Sequence, residues 1–392
     1  MNKTGTDPDR NAEYRPFVDF YAANKISPVR QDVSNLKQHF ERREALYRQL
    51  GIAPGLIRGK SVIEFGPGSG HNAIYTSSLQ PARYLLVDAN PIGLEQTRET
   101  LAPWSAVHEI AASYIEEFQS DERFDLVICE GVIPFQKDPE KFVQHVARYA
   151  KPGGLVVVTT IDGVSFLGEA TRRLLASAII AFDRPVSEKL ERLRPIFAPH
   201  LATLKGMSRP IDDWMYDNIL IPYGGRLFSM KAAITALDGS CDVYGTAPHF
   251  LTDWRWYKAI HGEDRRYNAR GIEQYLSNVA NLIDYRVEIP PLPERQGNEI
   301  LENAEALFYT MAEMENSGSQ ANRPLAVKNL RAIIGAIRAS APLTAESLEE
   351  IAAFLEAPDE GRITSAFNRY VSFFGRGQQY MSFLKRDDVR ST

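Results

Sequence analysis

The chain has 392 residues, of which 44% are hydrophobic, and its formal net charge at pH 7 is −5. This length allows several substructures to bury cores of their own, and the negative balance excludes the broad basic surface needed for general nucleic-acid binding. The longest apolar stretch, residues 174–182, is far shorter than the roughly 20 residues of a membrane span. We therefore expect no nucleic-acid partner and no membrane partner.

The chain start and the cysteines bear on location. Residues 1–10 are polar and lack the apolar core of a signal peptide, which favours a cytoplasmic location. Cys129 and Cys241 lie in apolar segments and lack metal-ligand spacing. We predict that both thiols are reduced core residues and that the protein has no metal site.

Residues 1–58 are predicted to form a helical N-terminal lid. An aromatic-rich stretch at residues 14–21 precedes a helix that starts at Asp32 or Ser34 and ends at Leu50, with apolar residues along one side. A charge cluster on this helix contains Arg42, Arg43 and Glu44. Such a cluster is usually a solvated face, and we interpret it so.

A glycine-rich turn at residues 66–70 follows the apolar strand of residues 61–65 and opens a helix. Glycines at three alternate positions allow a sharp turn and bring a ligand against the main chain. Glu64 at the strand end argues against a pyrophosphate and favours a ligand with positive charge. His71 occupies the position of the last glycine in a dinucleotide fingerprint, so a nicotinamide-dependent oxidoreductase ranks well behind.

Three further apolar runs end in acidic residues. Residues 84–87 end in Asp88, residues 124–129 are followed by Glu130, and residues 155–160 are followed by Asp162. Strands that alternate with helices in this way predict a doubly wound sheet with parallel strands and right-handed crossovers. Ligands of such α/β sheets bind beyond the carboxyl ends of the strands, where these acidic residues lie.

Residues 60–162 resemble the class I S-adenosylmethionine-dependent methyltransferases. Glu64 and the glycines look like the first motif of that family, which binds the methionine part of the cofactor, and Asp88 occupies the position that binds both ribose hydroxyls. The turn at residues 151–154, before the fifth strand, is a common family feature. The resemblance implies S-adenosyl-L-methionine as cofactor, bound by Glu64, Phe65, Gly66, Pro67, Gly68, Gly70, Asn72, Asp88, Ala89, Ala112, Ser113, Glu130 and Gly131.

The sequence departs from the family after the third strand. The acidic residue that often binds the adenine amine is absent from residues 110–114. Ser113 or main-chain groups would replace it. The resemblance also suggests that an arginine before the first strand pairs with the methionine carboxylate.

The remaining chain is predicted to complete a Rossmann-like seven-stranded α/β sheet with an antiparallel seventh strand and large helical insertions. The insertion after the fifth strand should be broken at Pro185, Pro195, Pro199 and Pro210. Thr344 is a plausible N-cap. The predicted division is a core at 59–164, a helical acceptor cap at 165–223, a core helix and sixth strand at 224–249, a mainly helical insertion at 250–374, and a final strand with a tail at 375–392.

Aromatic residues gather between Trp214 and Tyr257, beside carboxylates and an arginine. One interpretation is that most of these rings join the insertion to the sheet as core. The other is that they bind a sugar-like or aromatic acceptor by stacking and hydrogen bonding.

These features predict an enzyme that transfers a methyl group to an oxygen or nitrogen atom of a small, possibly sugar-like, acceptor. The candidate general bases are Glu130, Asp162 and His249. The chain lacks the sequences after the fourth strand that mark DNA amino-methyltransferases and arginine methyltransferases. The alternative is a catalytically inactive scaffold that keeps the cofactor-binding fold. The sequence leaves the oligomeric state open.

Overall fold

The computed structural model describes Phe20 and residues 33–104, 108–207, 209–223 and 225–387, apart from the side chains of residues 364 and 365. The predicted aromatic stretch at residues 14–21 and the last residues of the predicted tail therefore fall largely outside the described residues. In the described part of the chain, no helix combines the length and apolar character needed to cross a membrane.

One seven-stranded sheet organises the protein. In chain order its strands are β1 (Ser61–Phe65), β2 (Arg83–Asp88), β3 (His108–Ala112), β4 (Phe124–Cys129), β5 (Ala150–Thr160), β6 (Cys241–Ala247) and β7 (Gln379–Lys385). Their spatial order is β3-β2-β1-β4-β5-β7-β6, and β7 runs antiparallel to both β5 and β6. The predicted Rossmann-like sheet with an antiparallel seventh strand is confirmed.

The sheet is buried on both faces, and most residues of its central strands are apolar. Val62 belongs to a cluster on one face, whereas Ile63 and Phe65 belong to a larger cluster on the other. This alternation follows the two-residue period of a strand. The helices that alternate with the strands are α2 (Ala73–Ser78), α3 (Pro91–Leu101), α4 (Pro139–Ala147) and α8 (Met230–Leu237).

Helix α1 (Leu36–Gln49) precedes the sheet and ends one residue before the predicted Leu50. Its N-cap is Asn35, whose side chain accepts a hydrogen bond from the Gln38 amide at 3.1 Å. Three residues one turn apart, His39, Arg43 and Tyr47, are buried. The helix therefore covers the end of the sheet with a face that contains an arginine.

Helices from two insertions stand around the sheet. The first insertion contains α5 (Leu167–Ile179), α6 (Val186–Ala202) and α7 (Ile211–Met215), and the second contains α9 (Tyr267–Asn278), α10 (Glu294–Ser317), α11 (Arg323–Ile337), α12 (Pro342–Glu356) and α13 (Ile363–Ala366). A π-helical turn at residues 216–220 follows α7. Several residues of the first insertion line a cavity at the carboxyl edge of the parallel strands.

Two local predictions about the insertions were wrong. Pro195 and Pro199 lie inside α6, because tertiary packing maintains this helix despite the two lost amide donors. Only Pro185 and Pro210, of the four prolines, stand at helix starts. Thr344 is not an N-cap: α12 begins at Pro342, and the Thr344 hydroxyl donates to Asp284 Oδ2 at 2.9 Å.

Candidate active site

A cavity of about 510 Å³ opens at the carboxyl edge of the parallel strands. Its walls come from the ends of β1, β2 and β4 and from the chain just before and within β7. Of the thirteen predicted cofactor-binding residues, eight line it: Gly66, Pro67, Gly68, Asn72, Asp88, Ala89, Glu130 and Gly131. The site is therefore assembled where ligands of doubly wound sheets bind.

The glycine turn is tightly built and exposes main chain to the cavity. Gly66, Gly68 and Gly70 have φ angles of 72°, 59° and 78°, which side chains other than glycine rarely allow. A Cβ on Gly66 would come within 2.5 Å of Val132 Cγ2. This backbone therefore requires glycine for both its conformation and its space, which fits a main-chain surface against a bound cofactor.

Asp88 ends β2 and faces the same cavity. Its Oδ1 accepts a hydrogen bond from the Asn90 amide at 2.9 Å, and its Oδ2 accepts a longer one from the Gly68 amide at 3.4 Å. Burial raises the pKa of this carboxyl group, and the two amides oppose that shift. A carboxylate has about four acceptor sites, so these bonds leave capacity for two ribose hydroxyls. The glycine turn and Asp88 thus fit S-adenosylmethionine.

Arg43 and Glu130 form a buried ion pair at the edge of the cavity. Arg43 Nη2 lies 2.8 Å from Glu130 Oε1, Arg43 Nη1 lies 2.9 Å from Oε2, and each side chain is 7% exposed. Asn72 Nδ2 donates to the same carboxylate at 3.3 Å. The solvated face predicted for Arg43 is wrong, because α1 turns this residue toward the sheet.

The pairing also corrects the role predicted for Glu130. Both oxygens of its carboxylate are already engaged, Oε1 by the Arg43 guanidinium and Oε2 by the same guanidinium and the Asn72 amide. Glu130 therefore contributes to the structure of the cavity edge and is not poised as a general base.

The other two predicted bases do not reach the cavity. Asp162 is fully buried, where it accepts hydrogen bonds from the Tyr275 hydroxyl at 2.6 Å and from the Ser165 amide at 2.7 Å. His249 is exposed and is absent from the cavity lining. The structure therefore brings neither residue to the cavity. The Asp162 side chain points into the core, although its neighbours Ile161 and Phe166 line the cavity.

Glu64 and Phe65 lie beneath the cavity and do not line it. Glu64 is buried and accepts a hydrogen bond from the Tyr84 hydroxyl. Burial, together with the nearby charge of Glu130, raises the pKa of Glu64 to about 7. The sequence suggested that Glu64 faces a positively charged ligand directly. In the structure, its carboxyl group instead contacts the Tyr84 hydroxyl of the neighbouring strand. Gly70 is likewise internal and packs against Thr97.

The loop after β3 places different residues in the site from those predicted. Ala112 and Ser113 lie outside the cavity lining, and the Ser113 hydroxyl donates to the Tyr114 carbonyl at 2.9 Å. Tyr114, Ile115 and Glu116 line the cavity instead. A carboxylate is thus present after all, four residues beyond the strand end. Glu116 lies two residues beyond residues 110–114, where the acidic residue of the family was expected.

The opposite side of the cavity is closed by Phe135 of the loop after β4 and by residues of the first insertion. Of the rings there, only Tyr223, within the aromatic cluster of residues 214–257, is among the possible acceptor contacts predicted from the sequence. Phe135, Phe166 and Tyr223 form an aromatic wall, in which the rings of Phe135 and Tyr223 stack with centroids 4.2 Å apart. Glu169 of α5 borders the same space, as does the ion pair of Arg209 with Asp217 at 3.0 Å. This wall is the part of the cavity available to an acceptor.

The aromatic residues between 214 and 257 divide into two groups. Trp214, Tyr223 and Phe250 are buried, in agreement with the core interpretation. Trp254 is 92% exposed, and Trp256 is also exposed, so the core interpretation is wrong for this pair. Of the buried three, only Tyr223 also lines the cavity among the described residues.

Comparison with known proteins agrees with this geometry. Residues 37–195 match the model of a methyltransferase domain family. This segment of the chain is therefore a methyltransferase domain. The cofactor of this methyltransferase domain is S-adenosylmethionine.

Similar proteins include several methyltransferases. The chain is 23% identical over 150 residues to a ubiquinone biosynthesis O-methyltransferase of Rickettsia akari (strain Hartford), which covers 37% of this chain and 53% of that protein. It is 27% identical over 104 residues to the chloroplastic tocopherol O-methyltransferase of Arabidopsis thaliana, covering 26% of this chain and 30% of that protein. The chain therefore matches about half, or less, of the length of these relatives.

Among solved structures, the N-methyltransferase NodS from Bradyrhizobium japonicum WM9, in complex with S-adenosyl-L-homocysteine, aligns with a TM-score of 0.32 and 17% identity. The alignment covers 53% of this chain and 76% of NodS.

Proposed function

We propose that this protein transfers the methyl group of S-adenosylmethionine to an oxygen or nitrogen atom of a small-molecule acceptor. The observation that supports this most directly is the continuity of one cavity. It extends from the glycine turn and Asp88 to the aromatic wall of Phe135, Phe166 and Tyr223. A volume of about 510 Å³ lies within the range of small-molecule sites.

Methyl transfer of this kind requires few protein side chains to take part in the chemical step. With the cofactor bound, a lone pair on the acceptor would form a bond to the methyl carbon while the carbon–sulfur bond breaks and its electron pair remains on sulfur, and the methylated oxygen or nitrogen would release its proton to solvent. The residues of this chain hold the two molecules in line and exclude water. The first insertion serves the second purpose, because it covers the carboxyl edge of the sheet with buried aromatic rings.

The acceptor side of the cavity supports a compact, polar, sugar-like acceptor. Gln136 and Asn218 provide side-chain amides beside the aromatic wall, and such amides hydrogen-bond hydroxyl groups. Relatives named as O-methyltransferases favour an oxygen acceptor, whereas NodS is named as an N-methyltransferase. We keep both atoms in the proposal.

An inactive scaffold with the same fold is the alternative. It predicts an acceptor space filled by the side chains of the protein. The open volume beside the aromatic wall supports catalysis over this alternative.

Titration calorimetry with S-adenosylmethionine tests the cofactor half of the proposal. Asp88→Ala should weaken binding roughly 10- to 100-fold, because hydrogen bonds to a charged group contribute about 1.5–3 kcal/mol. Asp121→Ala, which changes an exposed carboxylate outside the cavity, is the matched control. An affinity unaffected by Asp88→Ala would remove the ribose assignment.

Turnover requires a separate experiment. The purified protein is incubated with metabolite extracts and a cofactor that carries a labelled methyl group. Label that moves to a small molecule supports the enzyme. Tight cofactor binding without transfer to any fraction would instead favour the scaffold.

A further inference from the structure

Glu169, at the acceptor side of the cavity, has one carboxylate oxygen without a hydrogen-bond partner among the described residues. It lies in the first turn of α5 and borders the cavity. Its Oε2 atom is buried and has no hydrogen-bond partner among the residues that the structure describes. An unpaired buried carboxylate oxygen is costly, so such a group in a cavity points to a ligand that supplies the missing donor.

Other carboxylates of the cavity already have partners. Glu130 is paired with Arg43, and Asp217 is paired with Arg209. Asp88 is held by two main-chain amides and lies on the cofactor side of the cavity. Glu116 also lines the cavity, but it is exposed and lies in the loop after β3. Glu169 is therefore the acidic group with a buried, unpaired oxygen in this lining.

The two arginines that follow Glu169 on α5 direct their terminal guanidinium nitrogens to other partners, and the buried Nε of Arg172 has no hydrogen bond among the described residues. Arg172 donates to the carbonyl oxygens of Gly168 at 3.1 Å and Phe373 at 2.6 Å. Arg173 pairs with Glu315 and lies over the Tyr223 ring, 4.3 Å from its centroid. Neither guanidinium has a hydrogen bond to Glu169 among the contacts of the described chain, although the charge of Arg172 is close enough to lower the pKa of the Glu169 carboxyl group against the larger effect of burial.

The surroundings of Glu169 strengthen an interaction with a cation. The aromatic wall of Phe135, Phe166 and Tyr223 is buried and apolar, and a charge pair is screened less beside such a wall than in water. Burial raises the pKa of the Glu169 carboxyl group, and a positively charged partner would lower it again. The position of Glu169 and the electrostatics of its surroundings thus both favour a ligand with a positively charged group.

We propose that the acceptor contains a basic amine, bound as an ammonium group by Glu169 beside the aromatic wall. This inference rests on the proposed methyl transfer and specifies the class of acceptor. An ammonium group has no lone pair, so the atom that receives the methyl group is a different oxygen or nitrogen of the same molecule. Glu169 is accordingly a binding residue that determines specificity.

Calorimetry with matched ligand pairs tests the proposal. The full-length protein, saturated with S-adenosylhomocysteine, is titrated with tyramine and tyrosol, phenethylamine and 2-phenylethanol, and glucosamine and glucose. Each pair differs in an amine replaced by a hydroxyl. We expect the amine of at least one pair to bind roughly tenfold more tightly or better, which corresponds to one charge-assisted contact.

The variant Glu169→Gln keeps the size of the side chain and removes its charge. We expect the preference for the amine to fall to about threefold or less, while cofactor affinity is unchanged. Glu99→Gln changes an exposed glutamate of α3 outside the cavity and should leave the preference intact. The comparison of amine and alcohol in the unaltered protein does not depend on whether the variant folds.

Three results would overturn the inference: no amine binds at millimolar concentration, amines and alcohols bind equally, or the preference survives in Glu169→Gln. None of these results contradicts the proposed methyl transfer, as long as the protein binds S-adenosylmethionine. The proposed function itself would be contradicted by a different result, namely that the protein does not bind S-adenosylmethionine.

Discussion

Arg43 of α1 and Glu130 at the end of β4 are joined by a bidentate ion pair that is almost fully buried. This pair connects the segment before the sheet to the edge of the cofactor cavity. Buried pairs of this kind depend on both members, because the loss of one leaves the other charge without compensation. Arg43 therefore links helix α1 to the edge of the cavity.

Arg43→Ala should destabilise the protein by about 3–5 kcal/mol, since Glu130 would remain buried without its guanidinium. Urea unfolding at neutral pH measures the change. The double variant Arg43→Met with Glu130→Leu replaces both charges by apolar groups and should recover most of the loss. A single variant as stable as the unaltered protein would contradict the interpretation.

Gly66→Ala should cost about 2–4 kcal/mol of folding free energy and abolish cofactor binding. The substitution combines a positive φ with a steric overlap against Val132. Gly59→Ala is the matched control, because Gly59 has a φ of 71° and no atom within 4 Å of its added Cβ. It should cost only about 1–2 kcal/mol and leave cofactor affinity intact. Equal effects at both positions would refute the steric argument.

The raised pKa of Glu64 makes stability depend on pH. Its value of about 7 in the folded protein exceeds the 4.5 of an unperturbed glutamate, so the folded state holds the proton more tightly than the unfolded state. The contribution of Glu64 to stability is therefore greatest below the unfolded pKa and is lost as pH rises through the folded one.

Glu64→Gln removes this titration. Between about pH 5 and about pH 8, the unaltered protein should lose up to about 3 kcal/mol more stability than the variant, on the basis of about 1.4 kcal/mol per pKa unit. Urea unfolding at several pH values gives both slopes. Parallel pH profiles for the two proteins would show that Glu64 does not titrate in this window.

Tyr275→Phe should destabilise the protein by about 1–3 kcal/mol because it leaves one oxygen of the buried Asp162 without its hydroxyl donor. Cofactor affinity and methyl transfer should not change, since Asp162 supports the core outside the cavity lining. Thermal unfolding and calorimetry separate the two effects. A selective loss of transfer, with stability unchanged, would return Asp162 to the list of candidate bases.

The sheet and the cofactor half of the site were predictable because their signals are local. Apolar runs of strand length mark β1, β2 and β4, and the glycines between residues 66 and 70 mark a turn that other residues do not adopt. Asp88 follows from its position at the end of β2. For each of these, a few consecutive residues and the two-residue period of a strand are sufficient.

The acceptor half was decided by tertiary structure. Glu130 and Asp162 follow similar strands, yet one meets Arg43 across 87 positions of sequence and the other meets Tyr275 across 113. Glu169 stands within α5 and has no local feature that distinguishes it from a solvated glutamate. Which carboxylate is paired, buried or left facing a cavity depends on contacts between distant segments, and residue spacing along the chain does not contain that information.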